Sequence, residues 1–286
     1  METVFDLDAL QSRKRRALKQ AVPGADFLMV HAAEELGDRL ATVSRRFERA
    51  ATVFCNTPHA ARALRESGKV DEVIRVEADE ALLGGEPGIV ATPETVPLEP
   101  ASLDLAVSLL SLHEVNDLPG LLVQIRRALK PDGLFLACMA GAGTLSELRE
   151  SLLAAESEVG GASPRVSPFV EVRDAGGLLQ RAGFALPVTD ADTLTVRYDS
   201  LLSLAADLRA MGSTNALAQR SRRSMPRALL FRAARIYAER FADPDGRVRA
   251  SFTLLWMSGW APAASQPKPL KPGSATVSLA DALARK

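Results

Sequence analysis

The residues of this chain best suited to covalent chemistry are two cysteines and three histidines, and two of these five lie close together. Cys55 and His59 are four positions apart in the stretch ATVFCNTPHAARAL. A thiol beside an imidazole can form a nucleophile with its base. Because no third partner or oxyanion motif accompanies this pair, we interpret Cys55 as a small apolar loop residue and Cys138 as core filler.

The other two histidines lie in different surroundings. His113 follows the apolar run LDLAVSLLSL, where a strand is predicted to enter a loop. Because histidine titrates near neutral pH, His113 is a candidate general base, and the alternative is a packing or hydrogen-bonding loop residue. His31 falls in a helical stretch and is interpreted as structural. The sequence contains no spaced set of metal ligands that would indicate a metal centre.

The composition narrows the class of protein. Lys and Arg together number 35, as do Asp and Glu, so the formal net charge is zero. This balance argues against a protein that binds nucleic acid or acidic membranes as a whole. No apolar run reaches the roughly 18 residues of a membrane helix, and the N-terminus lacks the apolar core of a secretory signal. With its two isolated cysteines, the chain is predicted to be cytoplasmic.

Strand-like and helix-like segments alternate along most of the chain. Two helical stretches come first, and Asp26 is placed to cap the second. Apolar or β-branched runs then alternate with amphipathic helices, as in AATVFC, HAARALRESG, EVIRVEAD, LDLAVSLL, LPGLLVQIRRA and LFLACMAG. This alternation predicts an α/β fold with a doubly wound sheet, whose binding site lies beyond the carboxyl ends of the strands. Asn116 and Asp117 are predicted to cap the helix after the fourth strand.

Proline and glycine mark further boundaries. A Pro-Asp-Gly turn at 131–133 is predicted to stop the helix before it. An Arg-rich helix is predicted further on, with Ser224 near its start and Pro226 in its first turn. We predict a helical lead-in over residues 1–48, a sheet domain over 49–260 with a helical insertion at about 200–245 before the last strand, and a flexible tail over 261–286.

A longer segment of the chain resembles a known family of proteins. The run LDLAVSLLSLHEVNDLPGLLVQIRRALKPDGLFLACMAGAGTLSELRESL resembles the fourth strand, helix, turn and fifth strand of class I S-adenosylmethionine-dependent methyltransferases. SLLSLHEVNDLP, RVSPFVEVRDAGGLLQRAGF, DLRAMGSTNAL and KPGSATVSL resemble one branch, the methyltransferase-like assembly factors of respiratory complex I. This branch is related to the malonyl-carrier-protein methyltransferases of the biotin pathway.

The resemblance covers nearly the whole chain and implies a function. The fold is then Rossmann-like and of the class I methyltransferase type, and S-adenosylmethionine is its expected cofactor. In the mitochondrial family, the implied activity is hydroxylation of an arginine on the iron–sulfur subunit near the quinone site. The resemblance thus favours a complex I assembly factor, and two catalytic alternatives stay open: this hydroxylation, and methyl transfer to a small molecule, a carrier-bound acyl group or a protein side chain.

The cofactor loop departs from the family pattern. In this fold the first strand ends in an acid, followed by a glycine-rich turn of the type D-L-G-C-G-R-G. Thr52 falls at the acidic position, and Phe54, Asn56 and Pro58 fall at the three glycine positions. A large ring and a proline are unfavourable where the backbone must be bare and must donate N–H groups. The predicted consequence is weak or lost binding of S-adenosylmethionine.

Other positions of the implied site are kept in part. Glu77 occupies the place of the acid that grips the ribose hydroxyls, and a solvated strand-end acid is the alternative. Thr92 stands where relatives carry an acid beside the adenine, with Glu94 as a substitute, and Gly143 stands where the branch shows Asp. His113 matches the family as the catalytic candidate. The degenerate cofactor-binding set is Val53, Phe54, Cys55, Asn56, Glu77, Ala78, Thr92, Glu94 and Leu110.

Two segments of the chain are rich in basic residues. Each is interpreted either as a solvated face or as a docking surface for an acidic protein or for membrane headgroups. A protein partner such as a complex I subunit, with contact at the inner face of the membrane, is the docking hypothesis. The basic residues are Arg13, Lys14, Arg15, Arg16, Lys19, Arg220, Arg222, Arg223, Arg227, Arg232, Arg235 and Arg240.

Overall fold

A single mixed sheet organises the chain. The structure is a computed structural model that describes residues 3–161 and 163–267. The strands are β1 (Phe47–Val53), β2 (Val70–Glu77), β3 (Ile89–Val90), β4 (Leu103–Leu109), β5 (Leu129–Ala140), β6 (Ala185–Tyr198) and β7 (Val248–Trp260). Their order across the sheet is β3-β2-β1-β4-β5-β7-β6. The first five strands pair in parallel, and β7 runs antiparallel between β5 and β6.

The helices confirm the predicted α/β class, with a helical lead-in before β1 and a helical insertion between β6 and β7. They are α1 (Leu7–Gln20), α2 (Phe27–Thr42), α3 (His59–Glu66), α4 (Glu80–Leu83), α5 (Leu118–Ala128), α6 (Ser146–Ser157), α7 (Val172–Arg181), α8 (Leu201–Ala210) and α9 (Arg227–Phe241). Within the described ranges, none of these helices is long and apolar enough to cross a membrane.

Helices cover both faces of the sheet and create two apolar layers. On one face, α5 and α7 contribute Leu122 and Leu179 to the core. On the other, α2 and α3 contribute Leu36 and Leu64. All seven residues of β4 are buried, as expected of a central parallel strand with helices on both sides. Because both faces are filled, the crevice at the carboxyl ends of the strands is the natural place for a ligand.

The predicted turn at 131–133 is part of a strand instead. Leu103 pairs with Leu129 and Leu105 with Leu134, so β5 carries extra residues between these pairs. Asp132 lies in this bulge with a φ of 64°. Its backbone N–H donates to Ala261 O at 3.0 Å, which joins the bulge to the end of β7. This hydrogen bond extends the sheet through residues that would otherwise form a free turn.

The Arg-rich helix begins later than predicted. Pro226 directly precedes α9 with a ψ of 138° and is not part of the first turn. A residue before proline avoids helical dihedrals, so Met225 and the residues before it stay outside the helix. The same region places Arg220, Arg222 and Arg223 in an irregular segment.

The start of the predicted flexible tail is tied to the sheet. The N–H of Ala261 donates to Gly133 O at 2.8 Å, and Ala261 is buried. The rest of that prediction, from residue 268 onward and including the KPGSATVSL motif, lies outside the described residues.

The cap predictions have mixed outcomes. Asp117 caps α5, because its carboxylate accepts from Gly120 N at 2.9 Å. Asp26 stands at the start of α2 but makes no side-chain cap, because its carboxylate contacts His59 Nε2 at 2.6 Å. Asn116 is no cap either. Its amide oxygen accepts from the backbone N–H groups of Val4 and Phe5, at 2.9 and 2.8 Å, and so fastens the N-terminal segment to the sheet domain.

Replacing Asn116 should therefore release the lead-in and leave α5 intact. We expect Asn116→Ala to lower the free energy of unfolding by about 1–2 kcal/mol and to expose the first residues to proteases. Asp117→Ala is the matched control, because it removes a helix cap at a similar energetic cost. Limited proteolysis with urea unfolding checks both variants. Equal cleavage near the N-terminus in the two variants would contradict the role given to Asn116.

Candidate functional site

The altered loop keeps the backbone shape of a glycine loop. Phe54 has a φ of 54° and Asn56 a φ of 59°, both in the left-handed region. Asn tolerates this region, whereas a phenylalanine there costs about 1–2 kcal/mol. The Phe54 N–H donates to Val76 O at 2.8 Å, which helps to hold the strained residue at the end of the sheet. Two of the three substituted glycine positions thus retain the conformation that glycine would supply.

The Phe54 side chain fills space inside the protein. It is 7% exposed and belongs to the same apolar cluster as Ala91, Val96 and Leu112, with Ala78 packed against that cluster. These residues follow β2, β3 and β4, where the resemblance places the adenosine part of the cofactor. The ring therefore occupies the interior on this side of the crevice.

Glu77 is the acid predicted to grip a ribose, and it is sealed. Its residue is 0% exposed, and both carboxylate oxygens have protein partners. Oε2 accepts from the Asn56 N–H at 3.0 Å, and Oε1 lies 3.2 Å from the guanidinium of Arg75. The Arg75 guanidinium is buried as well and donates to the carbonyl oxygens of Leu82 and Leu83 at 2.8 and 3.0 Å. No exposed surface of Glu77 is left for a diol.

Burial also changes the charge of this site. Desolvation raises the pKa of Glu77 to about 7, although the Asn56 N–H and the Arg75 charge favour ionisation. Thr52, at the position of the missing acid, is fully buried. Its hydroxyl has no hydrogen-bond partner among the residues described.

These residues do not fit S-adenosylmethionine in the manner of the fold. Glu77, the acid predicted to grip the ribose, contacts the buried guanidinium of Arg75, and Thr52 stands at the position predicted for the first acid. The ring of Phe54 fills the apolar interior beside them.

None of the remaining predicted positions hydrogen-bonds to the Glu77 carboxylate within the described residues. Val53 and Cys55 are buried, and the Leu109 N–H donates to Cys55 Sγ at 3.3 Å. Burial raises the pKa of the Cys55 thiol far above its ordinary value, which removes it as a nucleophile. Thr92 is exposed, and the Glu94 carboxylate accepts from the Asn116 N–H.

His113 lies after β4, and its ring is hydrogen-bonded to the end of the neighbouring strand β5. Its Nδ1 accepts from the Ala140 N–H at 3.3 Å, and its ring centroid is 6.0 Å from that of Phe169. Burial lowers the pKa of His113 to about 4, so the ring is neutral at pH 7. A neutral ring that accepts at Nδ1 carries its proton on Nε2 and has no free lone pair for a base. The contacts favour the packing interpretation over the catalytic one.

A cavity of about 580 Å³ opens beside the altered loop. Asn56 and Leu110 line it, and they are the two members of the predicted cofactor set that do so. The lead-in supplies much of the remaining wall, including Leu18 and Met29. Where residues are described, no three His, Cys, Asp or Glu side chains form a group that could hold a metal ion.

The sequence analysis did not identify two residues that form ion pairs at the crevice, Arg75 and Lys14. Arg75 precedes Glu77 by two positions in β2, so both side chains point to the same face of the sheet. An arginine at a buried position of a strand was the available signal. Lys14 was assigned to a basic surface, yet its ammonium group lies 2.6 Å from Glu114 at the end of the 3₁₀ turn Leu112–Glu114.

The strand order and the crevice define a protein of the class I methyltransferase fold. Residues 51–137 match the family described as a methyltransferase domain. The YcgJ protein of Bacillus subtilis has a similar structure, with a TM-score of 0.56 at 17% identity over 82% of this chain and 99% of that one.

Curated relatives give the particular family. The chain is 39% identical to the mitochondrial arginine-hydroxylase NDUFAF5 of Danio rerio, over 90% of this chain and 82% of that protein. It is 37% identical to the human protein of that name, over 97% and 83%. A malonyl-[acyl-carrier protein] O-methyltransferase of Xylella fastidiosa is 36% identical over 61% and 57%. The chain belongs to the NDUFAF5 family.

The sealed carboxyl predicts a pH dependence of stability. Between pH 4.5 and about 7 the folded protein keeps a proton on Glu77 that the unfolded chain releases. The free energy of unfolding from this group therefore falls as the pH rises through that range. Relative to wild type, Glu77→Gln should gain up to about 3 kcal/mol between pH 4.5 and 7.5.

Urea unfolding of both proteins at several pH values measures this difference. His113 has the opposite trend, because its lowered pKa adds stability above about pH 6.5 that is lost toward pH 4. That contribution is common to wild type and variant and cancels in the comparison. Glu72→Gln, at an exposed position of the same strand, is the control. Parallel stability curves for wild type and Glu77→Gln would contradict the assignment.

Proposed function

We propose that this protein acts in the assembly of respiratory complex I and binds S-adenosylmethionine weakly or not at all. Membership of the NDUFAF5 family supports the assembly role. The observation that carries the second half is the closed triad of Asn56, Arg75 and Glu77, in which every carboxylate oxygen has an internal donor. The fold then serves as a scaffold whose surfaces meet a protein partner.

The candidate docking surface is smaller than the basic composition suggests. Arg220 pairs with Asp6, Arg232 with Glu158, and Arg240 with Glu150; Arg235 faces Glu239. The remaining cations of this region are exposed. Arg222 is 69% exposed and lies 3.2 Å from Asp6, and Arg223 and Arg227 have no ion pair within the described chain. These three arginines form the patch that we assign to an acidic protein partner, with the protein in the cytoplasm at the inner face of the membrane.

A second candidate is arginine hydroxylation on a complex I subunit. The name of the relatives, arginine-hydroxylase, favours it. A third candidate, methyl transfer to a small molecule, a carrier-bound acyl group or a protein side chain, is favoured by the likeness to malonyl-[acyl-carrier protein] O-methyltransferases. The two candidates differ in whether S-adenosylmethionine must bind.

Isothermal titration with S-adenosylmethionine separates these functions. We expect no binding heat at micromolar concentrations, because the ribose acid is sealed. A variant with glycine at positions 54, 56 and 58 is the companion measurement. Binding that appears only in this variant would identify the loop as the obstacle. Micromolar binding by wild type, unchanged in the variant, would contradict the proposal and favour methyl transfer.

A deletion strain tests the assembly role. We expect reduced complex I, restored by the wild-type chain and not by a variant with glutamate at Arg222, Arg223 and Arg227. A variant with glutamate at Arg232 and Arg240, which pair with Glu158 and Glu150, is the control for effects on folding. Mass spectrometry of complex I subunits for one added oxygen on an arginine reports hydroxylation. Normal complex I in the deletion strain would overturn the assembly role.

A further inference from the structure

Glu77 does not line the cavity of about 580 Å³ beside the altered loop, although Asn56, which donates to its carboxylate, does. Its size is within the usual range of small-molecule sites. Aliphatic and thioether side chains from three parts of the chain form its walls, namely Leu18, Val22, Leu28, Met29, Leu82 and Leu83. Three parts of the chain thus enclose an apolar space: α1 with the segment that follows it, α2, and α4.

Each charged residue of this cavity already has a polar partner inside the protein. Lys14 lies 2.6 Å from Glu114, and Asp26 lies 2.6 Å from His59. The carboxylate of Glu86 lies 3.4 Å from Arg65. A charged ligand group placed here would lose water without gaining a free counter-ion, which is unfavourable.

The lining offers few of the groups that bind a nucleoside. No Phe, Tyr or Trp of the described residues lines the cavity, and the imidazole of His59, which does, already contacts the Asp26 carboxylate. Among the lining residues, the Thr57 hydroxyl is buried without a hydrogen-bond partner in the described chain. Glu77, the acid predicted to grip a ribose, does not line the cavity. An aliphatic ligand meets these walls better than S-adenosylmethionine does.

The mouth of the cavity continues this apolar character to the surface. Leu18 and Val22 are 41% and 47% exposed, at and just beyond the end of α1. Exposed aliphatic side chains that are continuous with an apolar cavity mark a binding surface more often than scattered ones do.

We propose that this cavity binds a single aliphatic chain that carries an uncharged head group. The chain lies against the leucine and methionine walls, and the head group stays at the mouth near Leu18 and Val22. This assignment holds whether or not the protein assembles complex I.

Isothermal titration with 1-octanol, 1-decanol and 1-dodecanol, below their solubility limits, tests the aliphatic chain. The affinity of wild type should rise roughly tenfold for every two added methylenes. Decanoate and decyltrimethylammonium should bind at least tenfold more weakly than 1-decanol. Equal binding of all three head groups, or no dependence on chain length, would overturn the proposal.

Variants locate the ligand. Leu18→Trp should narrow the mouth and weaken 1-decanol binding at least tenfold, whereas Leu153→Trp, at an exposed position of α6, should not. Thr57→Val should leave the affinity unchanged. A tenfold loss in Thr57→Val would place a polar group inside the cavity and overturn the aliphatic assignment.

Competition tests the other occupants. Displacement of 1-decanol by S-adenosylmethionine would place the cofactor in the cavity and overturn the proposal. Dimerisation that Leu18→Trp abolishes in sedimentation experiments would identify a second copy as the occupant, with the same consequence. Retained binding of 1-decanol by a monomer, unaffected by S-adenosylmethionine, is the expected result.

Discussion

The buried contact between Arg75 and Glu77 is the constraint on which the crevice depends. Two side chains of one strand, two positions apart, are forced onto the same face, and neither has access to water. A buried guanidinium without acceptors is costly, and Glu77 supplies one of them beside the carbonyl oxygens of Leu82 and Leu83. The Asn56 N–H completes the arrangement and fixes the loop above it. The acid that could have gripped a ligand instead holds the loop in place.

The loop is consistent with this arrangement. Phe54 and Asn56 keep positive φ angles although neither is glycine. Strain at such residues persists when the surroundings determine the backbone, and here the hydrogen bonds to Val76 and Glu77 do so. The ring of Phe54 adds buried apolar area that offsets part of the cost. The geometry of a cofactor loop is thus maintained by internal contacts, without the open surface that a cofactor requires.

The lead-in connects this region to the rest of the protein. Lys14 reaches Glu114 beyond β4, and Arg15 lies 3.3 Å from Asp79 beyond β2. The sequence suggested that these two cations belong to a basic surface. Their ion pairs instead attach α1 to the loops that follow the strands. The cavity lies between the altered loop on one side and α1 and α2 on the other, and apolar side chains of the two helices line it.

Local patterns in the sequence determined the sheet class, most element positions and the altered loop, because hydrophobic periodicity and turn residues are read over short distances. The resemblance added the family. Tertiary structure alone decided that Glu77 is sealed, that Asn116 fastens the N-terminus rather than capping α5, and that residues 131–133 form a bulge. Each of these depends on a contact between distant or facing residues, such as Asn116 with Phe5 or Asp132 with Ala261. The sequence by itself determined the order of the elements that surround the crevice, and the packing determined which side chains a ligand can reach.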